Sequence, residues 1–377
     1  MTGKEICQEN LCTGCMACFN ACPKQCISFI EKGLGHLYPH VDQTKCVDCK
    51  LCVKSCPINK SVELKNPLTA YAGWHKDHIE YLSSTSGGAA SALSQLIINK
   101  GGIVYGCASQ KGIIISHIRI DNIKDLPLLK GSKYVQSDIS DSYKNIKRDL
   151  KANKLVLFIG TPCQCAGLKS FLGHDYENLY RVDLICHGVP SQSLLRKHIN
   201  EVSRGKGIDV SFRKGNDMGL RIFDKNNELI YYSNIWNERY KDSYYNTFID
   251  GYTYRDSCYQ CKYARPERCS DVTIGDFWGL GEDLEHDSVN GCSCILPITQ
   301  KGLSLVNEAT LELYERKVSE AVNGNGQLQH PKKMTNRIKR FRRIYNILGL
   351  KRSYLLCELD HIIELRLVKP IKRRLKI

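Results

Sequence analysis

The sequence predicts a multidomain chain that joins the α+β and α/β classes: a compact cysteine-rich module, a mixed-sheet α/β region and a basic helical tail. Three observations predict it. A cysteine pattern occurs twice in the first sixty residues, short apolar runs alternate with amphipathic stretches from about residue 67, and Lys and Arg crowd the last fifty positions. The length of 377 residues exceeds what one ordinary core fills, so two or three domains are expected.

The first repeat places Cys12, Cys15, Cys18 and Cys22 before Pro23, and the second places Cys46, Cys49, Cys52 and Cys56 before Pro57. Both read C-x2-C-x2-C-x3-C-P. Three thiolates at this spacing wrap one cuboidal cluster from a tight loop, while the fourth cysteine begins a helix and points to the neighbouring site. Cys12, Cys15, Cys18 and Cys56 are therefore expected to hold one 4Fe-4S cluster, and Cys46, Cys49, Cys52 and Cys22 the other. The small residues Gly14 and Ala17 let backbone amides approach the sulfurs. Zinc also uses C-x2-C pairs but needs four ligands per site, and two complete runs ending in Cys-Pro are not its pattern. Residues 1–62 thus form a bacterial-type dicluster ferredoxin module. Cys7 and Cys26 fall outside the pattern and receive no role.

Twenty cysteines in a chain of this length, packed in C-x-x-C runs behind an N-terminus without an export signal, favour metal ligation over a disulfide scaffold. No apolar run of about eighteen residues occurs, and a cytoplasmic location is expected. The net charge is +15. Residues 332–377 carry fifteen Lys or Arg against three acidic residues, so most of that excess is local.

After a linker around 60–68, the α/β region is divided at the sequence level into 67–145 and 146–305. A Ser/Gly loop at 83–88 feeds a helix that Gly101 and Gly102 stop, and Ile103 to Cys107 reads as a strand. Such a helix start offers backbone amides to an anion, although a Ser-capped, closely packed helix has the same sequence. The apolar run 155–159 reads as a buried strand, after which Cys163 sits at a strand-to-helix turn. A second strand, 181–185, leads into Cys186, His187 and Gly188, again at the edge where ligands bind in open α/β sheets. Residues 220–223 and 228–232 flank a turn and read as a hairpin, which makes the sheet mixed. Cys258, Cys261 and Cys269 supply three thiols of a further site. Its fourth ligand comes from Cys163, Cys186 or the Cys292/Cys294 pair, and from spacing alone zinc and a cluster are both open.

Taken in order, Ser84 to Gly88, Lys130 to Ser137, Gly160 to Cys163, Asp183 to Gly188 and Cys258 to Gly279 resemble the coenzyme F-420 hydrogenase/dehydrogenase beta-subunit family, including its members with a fused two-cluster ferredoxin. The resemblance spans about residues 1–300. It implies a flavin, usually FAD, beside a third 4Fe-4S cluster in the α/β core, with electrons passing between flavin and ferredoxin clusters. Carried onto matching positions, Ser86, Gly87 and Gly88 would cradle the flavin phosphate, and Lys130 and Lys133 would lie near flavin or substrate. Cys258, Cys261 and Cys269 would bind the third cluster with Cys163 as preferred fourth ligand and Cys186 second. His187 is a candidate proton donor beside the flavin, against the plainer role of a structural hydrogen-bonding histidine.

The tail, 306–377, mixes basic and apolar residues at helical spacing and reads as one or two exposed helices, either packed by one face on their own domain or laid on an anionic membrane or acidic partner. No nucleic-acid fold accompanies the charge. The chain is therefore expected to be a flavin-dependent iron-sulfur reductase or dehydrogenase acting on a small molecule and exchanging electrons with a partner protein. The alternatives are a non-catalytic electron-transfer or assembly subunit and a zinc-stabilised interaction protein.

Overall fold

The structure is a computed structural model, and it describes residues 4–284 and 289–363. The N-terminal module contains two short helices, Ala17–Ala21 and Leu51–Lys54, and an antiparallel hairpin of β1 (Ile27–Lys32) and β2 (His36–Val41). Its sequence repeat is also a backbone repeat. Gly14 and Met16 of the first loop are left-handed (φ 68° and 59°), and so are Asp48 and Lys50 at the matching positions of the second (φ 53° and 60°). Each loop thereby curls tightly around its own sulfurs.

The rest of the chain is organised by one eight-stranded mixed sheet. Its strands are β3 (Ala70–His75), β4 (Ile103–Gln110), β5 (Ile114–Ile120), β6 (Val156–Gly160) and β7 (Leu179–Leu184), followed after a separate small sheet by three more. That small sheet is three-stranded and antiparallel, built from β8 (Asp209–Ser211), β9 (Gly219–Phe223) and β10 (Leu229–Asn234). Then β11 (Val272–Asp276), β12 (Ser293–Pro297) and β13 (Leu311–Arg316) complete the large sheet in the order β13-β3-β12-β11-β7-β6-β4-β5. The central strands β11, β7, β6 and β4 are parallel and the flanking pairs antiparallel.

Alternate residues of these strands fill opposite layers, as the pleat requires. Ile103, Tyr105, Val156 and Phe158 pack with the helices Ser142–Lys151 and Pro162–Leu172, while Val104 and Leu157 pack with Ala89–Asn99 and Gln300–Glu308. The expected hairpin is present, but it lies outside the large sheet; the mixing in that sheet comes from β3, β5, β12 and β13. The divisions at 145 and 305 also fall within one body, because β3 pairs with both β12 and β13. Local alternation of elements carries no record of pairings so distant in the chain.

The tail is helical over Asn336–Cys357, with a break at Gly349 (φ 72°). It is less exposed than its composition suggests. Ile338, Phe341, Leu350, Tyr354 and Cys357 are buried in a core shared with Tyr252 and Tyr259, and Tyr354 donates to Asp250 at 2.6 Å. The part of the tail beyond residue 363 lies outside the described residues. Among the described residues, no helix is long and apolar enough to cross a membrane.

Helix Gln300–Glu308 presses its first turn on the strand approach at Asp271. A methyl group at Gly302 would run into the Asp271 carbonyl oxygen, which is backbone and cannot swing away. Gly302→Ala is expected to destabilise the chain by about 1–3 kcal/mol, read as a lower urea midpoint with an unchanged m-value.

Candidate functional site

The module gathers thiols into two neighbourhoods, Cys56 with the first loop and Cys22 with Cys52 of the second. Cys15 and Cys18 lie close enough to Cys12 and Cys56 to feel their charge, and Cys52 and Cys26 stand in the same relation to Cys22. Burial pushes the Cys15 thiol up to about 12, so a cation is needed to keep such a set ionised. Cys7 and Cys26, left without a role by spacing, prove to be neighbours of these sets: Cys26 Sγ is 3.3 Å from Cys22 Sγ, and Cys7 borders Cys12 and Cys56. The second loop faces solvent, with Cys49 exposed, whereas Cys12 and Cys15 are buried against the core.

The module docks on the core through a buried apolar contact, Met16 and Ala17 with Ile139 and Tyr143, flanked by specific hydrogen bonds. Asn20 donates to Ser140 O at 2.8 Å, Gln136 donates to Thr13 O at 2.9 Å, and Ser191 donates to Leu34 O at 2.6 Å. The helix Pro162–Leu172 lies against Cys15; a Cβ at Gly167 would come within 2.9 Å of the Cys15 sulfur.

That helix begins at the third thiol group. Thr161 caps it in a reciprocal box with Gln164, with Pro162 in the first turn, and this fixes Cys163 directly after the carboxyl end of β6. Cys186 and His187 follow the carboxyl end of the parallel strand β7. The segment Asp256–Gln260 folds over the same edge, so Cys163, Cys186, Cys258 and Cys261 line one concavity with His187, Thr13 and Ile58. Burial pushes the thiols of Cys186 and Cys258 up to about 12, and neighbouring cysteines add to it. Among the described residues, no three His, Cys, Asp or Glu side chains converge closely enough to share a single metal ion. A cuboidal cluster spreads its four thiolates over separate corners and does not ask for that closeness.

Cys269 sits three residues before β11, at the amino end of a strand parallel to β7, buried in the core that also holds Cys15 and Tyr263 and against which Cys163 and Cys261 pack. Its charged surroundings are Asp183, Arg181, Lys169 and Arg268, and it does not line the concavity. Cys292 and Cys294 are buried in a further core with Ala72, Phe277 and Leu296.

The loop is held by Asp183, which is fully buried. Its carboxylate accepts from Ser270 at 2.8 Å and Thr273 at 2.7 Å, and Arg268 Nε, itself buried, stands 3.4 Å away. Burial raises the Asp183 pKa and these three partners oppose the rise.

The residues expected around flavin phosphate meet at another corner of the sheet. Lys130 Nζ reaches Glu80 and Ser83, each at 2.7 Å, and Thr85 lies 3.4 Å from Ser132. Gly87 is required there, since a Cβ would come within 2.6 Å of Gly73 O and Ser293 N. The amides of Gly87, Gly88 and Ala89 already have partners in Asn290 O, Thr85 O and Ser293 Oγ, and the Ser86 hydroxyl donates to Gly275 O at 3.0 Å. Two groups at this corner fit a phosphate. Among the described residues, Lys133 Nζ bonds the Leu129 and Lys130 carbonyls and has no carboxylate partner, and the buried Ser84 hydroxyl has no hydrogen-bond partner.

Arg213, whose Nη1 donates to both carboxylate oxygens of Asp276 at 2.7 and 2.9 Å, and Arg255, discussed below, are buried arginines that spacing did not reveal. Both lie in loops, where periodicity says nothing of burial. Asp183→Ala is expected to cost about 3–5 kcal/mol by leaving Arg268 buried without its anion. In anaerobically prepared protein it should remove the iron of the third site before that of the module, as read by iron per chain during a denaturant titration.

Residues 153–320 match the model for the C terminus of the coenzyme F420 hydrogenase/dehydrogenase beta subunit, and residues 11–60 match a 4Fe-4S dicluster domain. No curated protein matches the sequence. Among solved structures, a chain of the xenon-derivatised F420-reducing NiFe hydrogenase complex from Methanosarcina barkeri is 15% identical. That alignment covers 71% of this chain and 91% of that one, with a TM-score of 0.48. The two model matches lie in the order expected from the motifs: a 4Fe-4S dicluster domain precedes a region similar to the C terminus of the coenzyme F420 hydrogenase/dehydrogenase beta subunit.

Proposed function

We propose that the chain is an iron-sulfur flavoprotein that links one-electron exchange with a partner protein to two-electron oxidation or reduction of a small molecule. The observation that carries this reading is the convergence of Cys163, Cys186, Cys258 and Cys261 between the module and the carboxyl edge of the sheet. These four would hold a third 4Fe-4S cluster, with Cys186 taking the place first assigned to Cys269. Ser84, Ser86, Gly87, Gly88, Lys130 and Lys133 would hold the phosphate of FAD. When bound, the clusters carry single electrons and the flavin exchanges a pair.

The protein's own part is placement. Cys15 and the Cys163 helix bring the inner half of the module against the third site, while the exposed Cys49 loop faces a redox partner. His187, exposed at the rim of the third-site concavity, is positioned to hand a proton to a substrate entering there. Membrane contact by the tail is not part of the proposal, because the apolar residues of helix Asn336–Cys357 are largely spent on its own core.

A second reading is a relay subunit without flavin, and the partnered amides of Gly87, Gly88 and Ala89 favour it. Iron, acid-labile sulfide, zinc and flavin per chain, measured on anaerobically purified protein, separate the two. The flavoprotein is expected to hold about twelve iron and one flavin, and twelve iron without flavin after incubation with FAD would leave the relay. Cys186→Ser is expected to lower iron from about twelve to about eight per chain. Cys269→Ser should leave the iron unchanged, and the reverse result would return Cys269 to the ligand set.

A further inference from the structure

Arg255 heads the largest fully buried side chains of the protein. Its Nε donates to Cys12 O at 2.6 Å, Nη2 donates to Leu37 O at 2.8 Å and lies 3.5 Å from Cys12 Sγ, and Nη1 donates to Gln136 at 3.2 Å. The guanidinium also lies over the Tyr38 ring at 4.2 Å. Every one of these partners except the sulfur is neutral. The carboxylate next in sequence, Asp256, is engaged by Arg342 at 2.6 Å, and among the described residues Arg255 has no carboxylate partner.

A guanidinium does not shed its proton in a protein, and a buried charge without a counter-charge is strongly unfavourable. The anion has to come from the Cys12 side. A 4Fe-4S cluster on four thiolates is net negative in both oxidation states and gains one further negative unit on reduction.

On the reading that the module carries two clusters, we propose that Arg255 is the fixed counter-charge of the one held by Cys12, Cys15, Cys18 and Cys56, and that it makes this cluster easier to reduce than its twin. Among the described residues, the twin has no equivalent. Lys4, the cation that bears on Cys52, is paired with Asp48, and Lys50 and Lys54 stand at the surface, where water screens them. The repeat itself records the difference. A Cβ at Gly14 would come within 2.9 Å of Arg255 Nη1, whereas its counterpart in the second loop, Asp48, is exposed. Arg255 also accepts the Cys258 amide at 2.9 Å through its carbonyl, so one residue positions the first cluster loop and the third thiol group together.

The test is a potentiometric titration followed by electron paramagnetic resonance, on the full chain and on Arg255→Met and Arg255→Lys prepared anaerobically with iron and sulfide counted first. In Arg255→Met one ferredoxin midpoint should move to lower potential while the other stays, and Arg255→Lys should recover part of the shift. A Met variant that loses about four iron while the Lys variant keeps them supports the same conclusion. The proposal is overturned if a fully loaded Met variant titrates like the parent, if both midpoints move together, or if Met and Lys lose the same iron. Absence of the module's eight iron from the parent would instead sink the cluster reading.

Discussion

Asp183 is a carboxylate that water cannot reach, and the third thiol group is arranged around that fact. It stands on a central strand and draws Ser270, Thr273 and Arg268 onto itself. Those three belong to the segment that runs from the Cys258–Cys261 loop into β11, so satisfying one buried anion fixes where that loop can lie. With the loop fixed, the carboxyl ends of β6 and β7 supply Cys163 and Cys186 from the parallel register alone. The site is thus assembled from three stretches distant in the chain.

The dicluster module shows how a symmetric device becomes directional. Its two loops share spacing and left-handed positions, and taken alone they are interchangeable. Contact with the core removes the equivalence. One loop receives Arg255, Gln136 and the Cys163 helix, while the other keeps an exposed cysteine. Burial then separates the dielectric surroundings of the two cysteine sets, which is among the means by which proteins tune clusters.

Much of this was legible in the sequence. The eight module cysteines follow from spacing, and Cys163 and Cys186 follow from strand ends, because a short apolar run followed by a helix cap marks the ligand-binding edge. Which cysteines line the concavity was less legible: nearness in sequence groups Cys269 with Cys258 and Cys261, whereas Cys186 reaches the concavity from the end of β7 and Cys269 lies in the core beneath it. Arg255 was hidden for a related reason: an arginine in a loop reads as surface, and what buries it comes from residues 12, 37 and 136. The tail misled through composition, since its basic residues outnumber but do not displace the apolar ones that dock.

The partners of β3 have a consequence for how the chain matures. This strand, among the first of the core to leave the ribosome, pairs among the described residues with β12 and β13, whose residues begin at 293 and 311. The thiols of the module, by contrast, are all synthesised by residue 56. Metal delivery to the module is therefore open during synthesis, while β3 waits for strands more than two hundred residues downstream. The module and the large sheet are thus completed at different moments of the protein's life.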